Sequence, residues 1–228
     1  MWRISVILLL VIGSVKLIKA CDTDKCFEGV DFDVENLPSE EELKIVCPKI
    51  SKAFECADET VHACTGYRLD ELAETSSNIT AAKVAFLMVI TQDMFESVCS
   101  EVSVTHRAYV ESRQCYNQYF STPKTKCLDE AKAAYRVYEA TKGDTSKAKQ
   151  SCVHLVYVLV CLSHEIQEEC GETAKFLFET LMTKTLMWRH IDCGLEDVAE
   201  IKTTFLQTLE LEGERKVFFE NAFWELLK

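Results

Sequence analysis

Three cysteines, Cys152, Cys161 and Cys170, follow one another at intervals of nine residues within a mainly apolar segment. On an α-helix, nine residues correspond to about 900°, which ends half a turn away, and to about 13.5 Å of rise. The Cα atoms of a disulfide lie only about 4.4–6.8 Å apart, so these cysteines cannot pair with one another while the segment is helical. The interval therefore predicts that Cys161 bonds to a neighbour on one side of the helix, and Cys152 and Cys170 to neighbours on the opposite side.

The apolar residues of the same segment predict that this helix is buried. They form two stripes at helical spacing, one of Leu155, Leu159, Leu162 and Ile166 and one of Val153, Val156 and Val160. A helix that is apolar on both faces packs between others. We therefore predict a disulfide-stapled multi-helix bundle with a buried central helix around 152–170.

The rest of the chain also has the pattern of helices, and the predicted fold class is all-α. Glycine and proline are scarce, with seven and three residues, whereas strong helix formers are common. Ser39 and Glu42 predict a capping box at the start of a helix, and Pro48 either kinks that helix or opens the next. A clear amphipathic stripe follows, made of Ile50, Ala53, Phe54, Ala57 and Val61. Further helices are predicted at 79–99, 104–120, 124–142, 174–188, 195–211 and 214–228.

The first twenty residues predict a signal peptide. Arg3 is followed by the apolar stretch 4–12, which is too short to cross a bilayer, and Ala20 is a plausible last residue before cleavage. No later run approaches the ~18 apolar residues that a membrane helix needs. The predicted localisation is therefore secreted and extracellular, without a membrane span.

The mature chain, 21–228, is predicted to be a single helical cysteine-rich domain. Cys47 and Cys56 repeat the nine-residue interval, which leaves open an internal duplication into two related halves that meet near 143–146. An even number of cysteines behind a signal peptide indicates that all are paired in disulfides. The connectivity cannot be read from the sequence. These cysteines are Cys21, Cys26, Cys47, Cys56, Cys64, Cys99, Cys115, Cys127, Cys152, Cys161, Cys170 and Cys193.

The charge balance argues against a nucleic-acid partner. The formal net charge is −12, and it becomes −15 once residues 1–20, which contain three basic and no acidic residues, are removed. An acidic chain repels phosphate backbones.

Motifs that carry chemistry are incomplete, and we predict no enzyme, no cofactor and no metal. His164, Glu165 and Glu168 approach the zinc-protease pattern, but a glutamate stands where the second histidine is needed. The acidic stretch 31–42 approaches a calcium loop, yet Asn36 occupies the position that needs glycine, so an acidic linker is the better interpretation. No catalytic residue can be nominated. Asn78 begins the one N-glycosylation sequon, Asn-Ile-Thr, and is predicted to carry a glycan.

The strings VCPKISKAFEC and ECGETAKFLFETL, joined by the cysteine ladder, resemble the arthropod 27 kDa hemolymph glycoprotein family. The likeness covers about Cys47 to Cys193. It implies a secreted, helical, disulfide-bonded protein of a family without an established activity. It also implies structural roles for the cysteines at matching positions, which are Cys47, Cys56, Cys64, Cys152, Cys161 and Cys170.

Two functions remain open. The first is a non-enzymatic extracellular, hemolymph-type glycoprotein that acts by binding other molecules, including an unknown extracellular protein. The second is a carrier of a hydrophobic small molecule or lipid in an apolar cavity within the bundle. Such a cavity could be lined by Phe86, Met88, Phe95, Phe176, Phe178, Met182 and Met187. The spacing of these residues is also what an ordinary core requires, and the ordinary core is the preferred interpretation. An enclosed cavity would favour the carrier, and a solid core with an exposed apolar patch would favour a protein partner.

The last helix raises the same question, because Phe219 and Phe223 recur at helical spacing within 214–228. Leaving several phenylalanines in water would be costly. We expect this helix to dock on the core of its own chain, and a partner-binding face is the alternative.

Overall fold

The computed structural model describes residues 21–30, 36–76, 79–122, 125–142, 149–184 and 193–226. Within these ranges every regular element is helical and there is no strand, so the all-α prediction is confirmed. The chain divides into two compact units, unit 1 at 1–122 and unit 2 at 123–228. The predicted signal peptide at 1–20, the sequon residue Asn78 and the predicted meeting point near 143–146 lie outside the described residues. The single-domain assignment stays a prediction.

Unit 1 is built on a long first helix. This helix, α1, packs against a preceding 3₁₀ segment and against two later helices, and the second of these, α3, also packs against the last helix of the unit. The elements are the 3₁₀ segment Thr23–Phe27, α1 Glu40–Thr65, α2 Leu69–Thr75, α3 Ile79–Cys99 and α4 Val104–Phe120.

Helix α1 starts and ends at the residues that its sequence favours. The capping box is confirmed: the backbone N–H of Glu42 donates to Ser39 Oγ, and the Glu42 carboxylate accepts from the backbone N–H and the hydroxyl of Ser39. At the other end, Gly66 has φ of 80°, a left-handed conformation that glycine adopts at low cost. The other acidic residues of the stretch 31–42 that approach a calcium loop, at 31, 33 and 35, lie outside the described residues.

Pro48 lies inside α1, and the helix runs through it without a break. Proline removes the backbone hydrogen bond to the carbonyl four residues earlier. The predicted apolar stripe of α1 is fully buried, from Ile50 at 4% exposed to Val61 at 0%, and we infer that this packing holds the helix together across the proline.

Unit 2 surrounds one central helix. This helix, α6, packs against α5, α7 and α9, which confirms the predicted buried central helix. Its residues Val153, Val160 and Ile166 are all 0% exposed. The elements are α5 Lys126–Lys142, α6 Gln150–Cys170, α7 Glu172–Lys184, α8 and α9 Gly213–Leu226, where α8 consists of Leu195–Glu200, a π-helical turn Ile201–Phe205 and Leu206–Thr208.

All twelve cysteines are disulfide-bonded, as the sequence predicts. In unit 1 the described bonds tie α1 to the 3₁₀ region and to α3. In unit 2 Cys161 bonds to a residue of α5, and Cys152 to the residue two before α8. These two cysteines therefore bond to different elements, as their nine-residue interval predicts. The described pairs are Cys21–Cys64, Cys26–Cys56, Cys47–Cys99, Cys127–Cys161 and Cys152–Cys193.

The last helix, α9, docks on its own unit. Phe219 and Phe223 are both 0% exposed. The ring of Phe219 lies 5.3 Å from that of Tyr157 on α6, and the ring of Phe223 lies 6.2 Å from that of Phe205 in α8, centroid to centroid. The expectation that this helix packs on the core of its own chain is confirmed.

Candidate functional site: a cavity between α1 and α3

A cavity of 320 Å³ opens between α1 and α3 of unit 1, and we refer to it as the α1–α3 cavity. This volume falls at the lower end of the ~300–1,000 Å³ typical of small-molecule sites. Most of the lining is apolar. The lining residues are Cys47, Pro48, Ile50, Ser51 and Phe54 of α1, together with Gln92, Phe95, Glu96, Cys99 and Ser100 at the end of α3.

The helical repeat of the two helices explains how these residues meet. Cys47, Ser51 and Phe54 recur every three or four residues and so share one face of α1. Gln92, Glu96 and Cys99 share a face of α3 in the same way. The disulfide between Cys47 and Cys99 joins the two faces at one end of the cavity.

The floor of the cavity is buried and apolar. Ile50 and Phe54 are 4% and 2% exposed. The ring of Phe54 is held between Phe27 and Phe95, with centroid distances of 5.4 and 6.3 Å. Phe95 is itself half-buried and therefore presents part of its ring to the cavity.

Polar groups occur at the mouth of the cavity. Ser51, Glu96 and Ser100 are exposed. Gln92 Nε2 donates a hydrogen bond of 2.9 Å to Glu96 Oε1. Glu96 is the one charged residue among those that line the cavity, and no lysine, arginine or histidine belongs to the lining. Apolar walls with a few polar groups are the usual arrangement of a small-molecule site.

The seven residues considered as a possible cavity lining have different surroundings. Phe86, Met88 and Phe95 belong to unit 1, and Phe176, Phe178 and Met182 to unit 2, while Met187 lies outside the described residues. Phe95 lines the α1–α3 cavity. Met88, Phe178 and Met182 are buried in the cores of their units, and Phe176 is 44% exposed. The buried positions of Met88, Phe178 and Met182 agree with the preferred interpretation, in which long apolar side chains at helical spacing fill ordinary cores.

A polar cluster in unit 2 joins three helices. Glu130 Oε2 on α5 accepts a 3.2 Å hydrogen bond from the hydroxyl of Tyr157 on α6 and forms an ion pair with Arg215 on α9. The Arg215 guanidinium also lies over the ring of Phe219, 5.3 Å from its centroid. Burial, followed by the charge of Glu130, raises the pKa of Tyr157 to about 12. Tyr157 therefore stays protonated at neutral pH, and the cluster connects α5, α6 and α9.

The near-zinc motif is engaged in packing and ion pairing. His164 Nδ1 lies 3.4 Å from Glu168 Oε2, and its ring packs edge-on against Phe218, with 4.7 Å between the centroids. Glu165 pairs with Lys126 at 3.1 Å. The sulfurs of Cys127 and Cys161 lie within 4.8 Å of a Glu165 carboxylate oxygen, but they are bonded to each other, and a disulfide provides no thiolate ligand.

Comparisons with known proteins add no relative: no protein-family model, curated protein or solved structure matches this chain. The resemblance to the hemolymph glycoproteins therefore stays a prediction. Among the described residues, no helix is long and apolar enough to cross a membrane.

Proposed function

We propose that this protein is a secreted, non-enzymatic extracellular glycoprotein that acts by binding other molecules, and that it carries a small hydrophobic molecule in the α1–α3 cavity. The observation that carries this proposal is the cavity itself, 320 Å³ in volume and walled by Ile50, Phe54, Phe95 and a disulfide. Twelve disulfide-bonded cysteines support an oxidising, extracellular setting. The charged N-terminal start and short apolar run support secretion, and the sequon at Asn78 supports glycosylation.

The ligand of this cavity is small. At roughly 30 Å³ per water-sized volume, 320 Å³ holds about ten such volumes. A long-chain lipid would therefore extend out of the cavity, whereas a compact ring system would fit within its volume. The choice of a small molecule over a protein partner rests on this concave apolar cavity, since apolar side chains scattered singly over a surface are normal in soluble proteins.

A variant that fills the mouth of the cavity tests the proposal. Ser51→Phe places a ring at an exposed lining position of α1. Ser151→Phe is the matched control, because Ser151 is an exposed residue in the first turn of α6 in unit 2. Indole binding is measured by ligand-observed NMR, and helical content is checked by circular dichroism.

We expect indole to bind the wild-type protein and the Ser151→Phe variant, and to lose at least tenfold in affinity for Ser51→Phe. Equal binding by both variants would show that the indole lies elsewhere. If neither indole nor a panel of similar apolar compounds binds the wild-type protein, the carrier function is wrong.

A further inference from the structure

We infer that the ligand of the α1–α3 cavity is a cationic amphiphile, namely a small amine that carries a compact aromatic or aliphatic body. This inference rests on the proposed function, because it assigns the chemical class of the molecule that the cavity binds. It follows from the position of one carboxylate, from the nature of the walls and from the charge of the chain.

The carboxylate is that of Glu96, at the mouth of the cavity on α3. One of its oxygens, Oε1, accepts the hydrogen bond from Gln92 Nε2 at 2.9 Å. A carboxylate offers about four acceptor positions over its two oxygens. Glu96 can therefore accept a further charge-assisted hydrogen bond from an ammonium group while Gln92 keeps the side chain oriented.

The walls suit the apolar part of such a molecule. The buried floor of Ile50 and Phe54 contains no group that needs a hydrogen bond from the ligand. Phe95 is half-buried and lines the cavity together with Glu96. A cation is attracted both to the face of an aromatic ring and to a carboxylate.

The charge of the chain disfavours an anionic ligand. Glu96 contributes negative charge to the cavity, and the lining contains no cationic side chain to bind a carboxylate or a phosphate. The net charge of −12 adds a long-range field that attracts cations and repels anions. A fatty acid would thus bring its own carboxylate to a negatively charged mouth.

Three probes of nearly the same size and shape separate these contributions. 2-Phenylethylamine, 2-phenylethanol and phenylacetate share a phenyl ring and differ in a positive, neutral or negative polar group. Their affinities are measured by isothermal titration calorimetry at low and at high salt for the wild-type protein and for Glu96→Gln. Glu59→Gln is the control, since Glu59 is an exposed residue of α1 that does not line the cavity and its loss changes the net charge equally.

We expect the amine to bind about tenfold more tightly than the alcohol, which corresponds to about 1.4 kcal/mol, and phenylacetate to bind most weakly. Glu96→Gln should abolish the preference for the amine and leave the alcohol unchanged, whereas Glu59→Gln should preserve it. Added salt should reduce the preference.

The two proposals fail in different ways. If the alcohol binds and the amine has no advantage, or if Glu96→Gln leaves that advantage intact, the cationic class is wrong and the hydrophobic-carrier function stands. If none of the three probes binds although indole does, the cationic class alone is wrong; if indole and the related apolar compounds fail to bind as well, the proposed function itself is wrong.

Discussion

The ring of Phe54 on α1 lies 6.3 Å from the ring of Phe95 on α3, measured between centroids. One of these rings is buried in the core of unit 1, and the other reaches the α1–α3 cavity. The same two helices are joined covalently between Cys47 and Cys99. The two helices that bound the cavity are therefore held together by a contact between aromatic rings and by a disulfide. The shape of the cavity depends on both interactions.

Removal of the disulfide at the cavity should impair stability and ligand binding together. In a Cys47→Ser/Cys99→Ser variant, a sequence separation of 52 residues is no longer bridged. The chain-entropy model then predicts a loss of about 4 kcal/mol of unfolding free energy. We also expect weaker binding of indole, because α1 and α3 are free to separate at this end of the cavity. Chemical denaturation and a binding titration measure the two effects.

The disulfide in the other unit provides the control for this experiment. Cys127→Ser/Cys161→Ser removes a bond across a similar separation of 34 residues in unit 2. It should cost a comparable amount of stability and leave the affinity for indole unchanged under conditions where the variant is folded. An equal loss of indole affinity in both variants would show that indole does not bind in the α1–α3 cavity.

The docking of α9 should depend on the buried face of that helix. Phe219→Ala removes a ring that is 0% exposed and should lower the unfolding free energy by about 3–5 kcal/mol. Val217→Ala, two residues earlier on the same helix, changes a side chain that is 58% exposed. This variant should change the unfolding free energy by less than about 0.5 kcal/mol. Thermal unfolding of the two variants measures the difference, and similar effects would contradict the docked position of α9.

The cluster of Glu130, Tyr157 and Arg215 in unit 2 predicts a fall in stability at alkaline pH. The pKa of Tyr157 is raised to about 12 in the folded protein, above its ordinary value of 10.0. The folded state thus holds this proton more tightly than the unfolded state does, so the contribution to stability is complete below pH 10 and is lost as the pH rises towards 12. Between the ordinary pKa of 10.0 and the raised pKa of about 12, the free energy of unfolding should fall less steeply with pH for Tyr157→Phe than for the wild-type protein. Chemical denaturation at several pH values measures it. An unchanged slope would contradict the buried, neutral tyrosine.

The disulfide pairing around α6 can be read directly by a peptide map under non-reducing conditions. Cys161 should be found linked to Cys127, and Cys152 to Cys193. Alkylation before reduction should label no cysteine, since all twelve are bonded. A peptide that links Cys152 to Cys161 would contradict a continuous helix α6.

Much of the fold could be predicted from the sequence because helical periodicity and cysteine intervals are local signals. The box of Ser39 and Glu42, the stripe that ends at Val61 and the opposed directions of Cys152 and Cys161 all depend on the 3.6-residue repeat. For Pro48, the sequence left open whether the proline kinks the helix or opens the next one. The packing that keeps α1 continuous comes from other segments of the chain and is not a local signal.

The candidate site could be predicted only in part. Phe95 was among the expected lining residues, but Ile50 and Glu96 were not, since nothing local in the sequence pairs α1 with α3 around Cys47. The disulfide pairs could not be predicted for the same reason: twelve cysteines allow about ten thousand connectivities (105 × 9 × 11), and tertiary structure selects among them.

Binding in the α1–α3 cavity is tested most directly by mapping bound indole by NMR on the isotopically labelled, full-length protein. We expect the largest chemical-shift changes on titration in α1 around Ile50 and in α3 around Phe95 and Cys99, and no change in helix α6 of unit 2. Shifts centred on unit 2, or small shifts spread evenly over the surface, would show that the α1–α3 cavity is not the binding site.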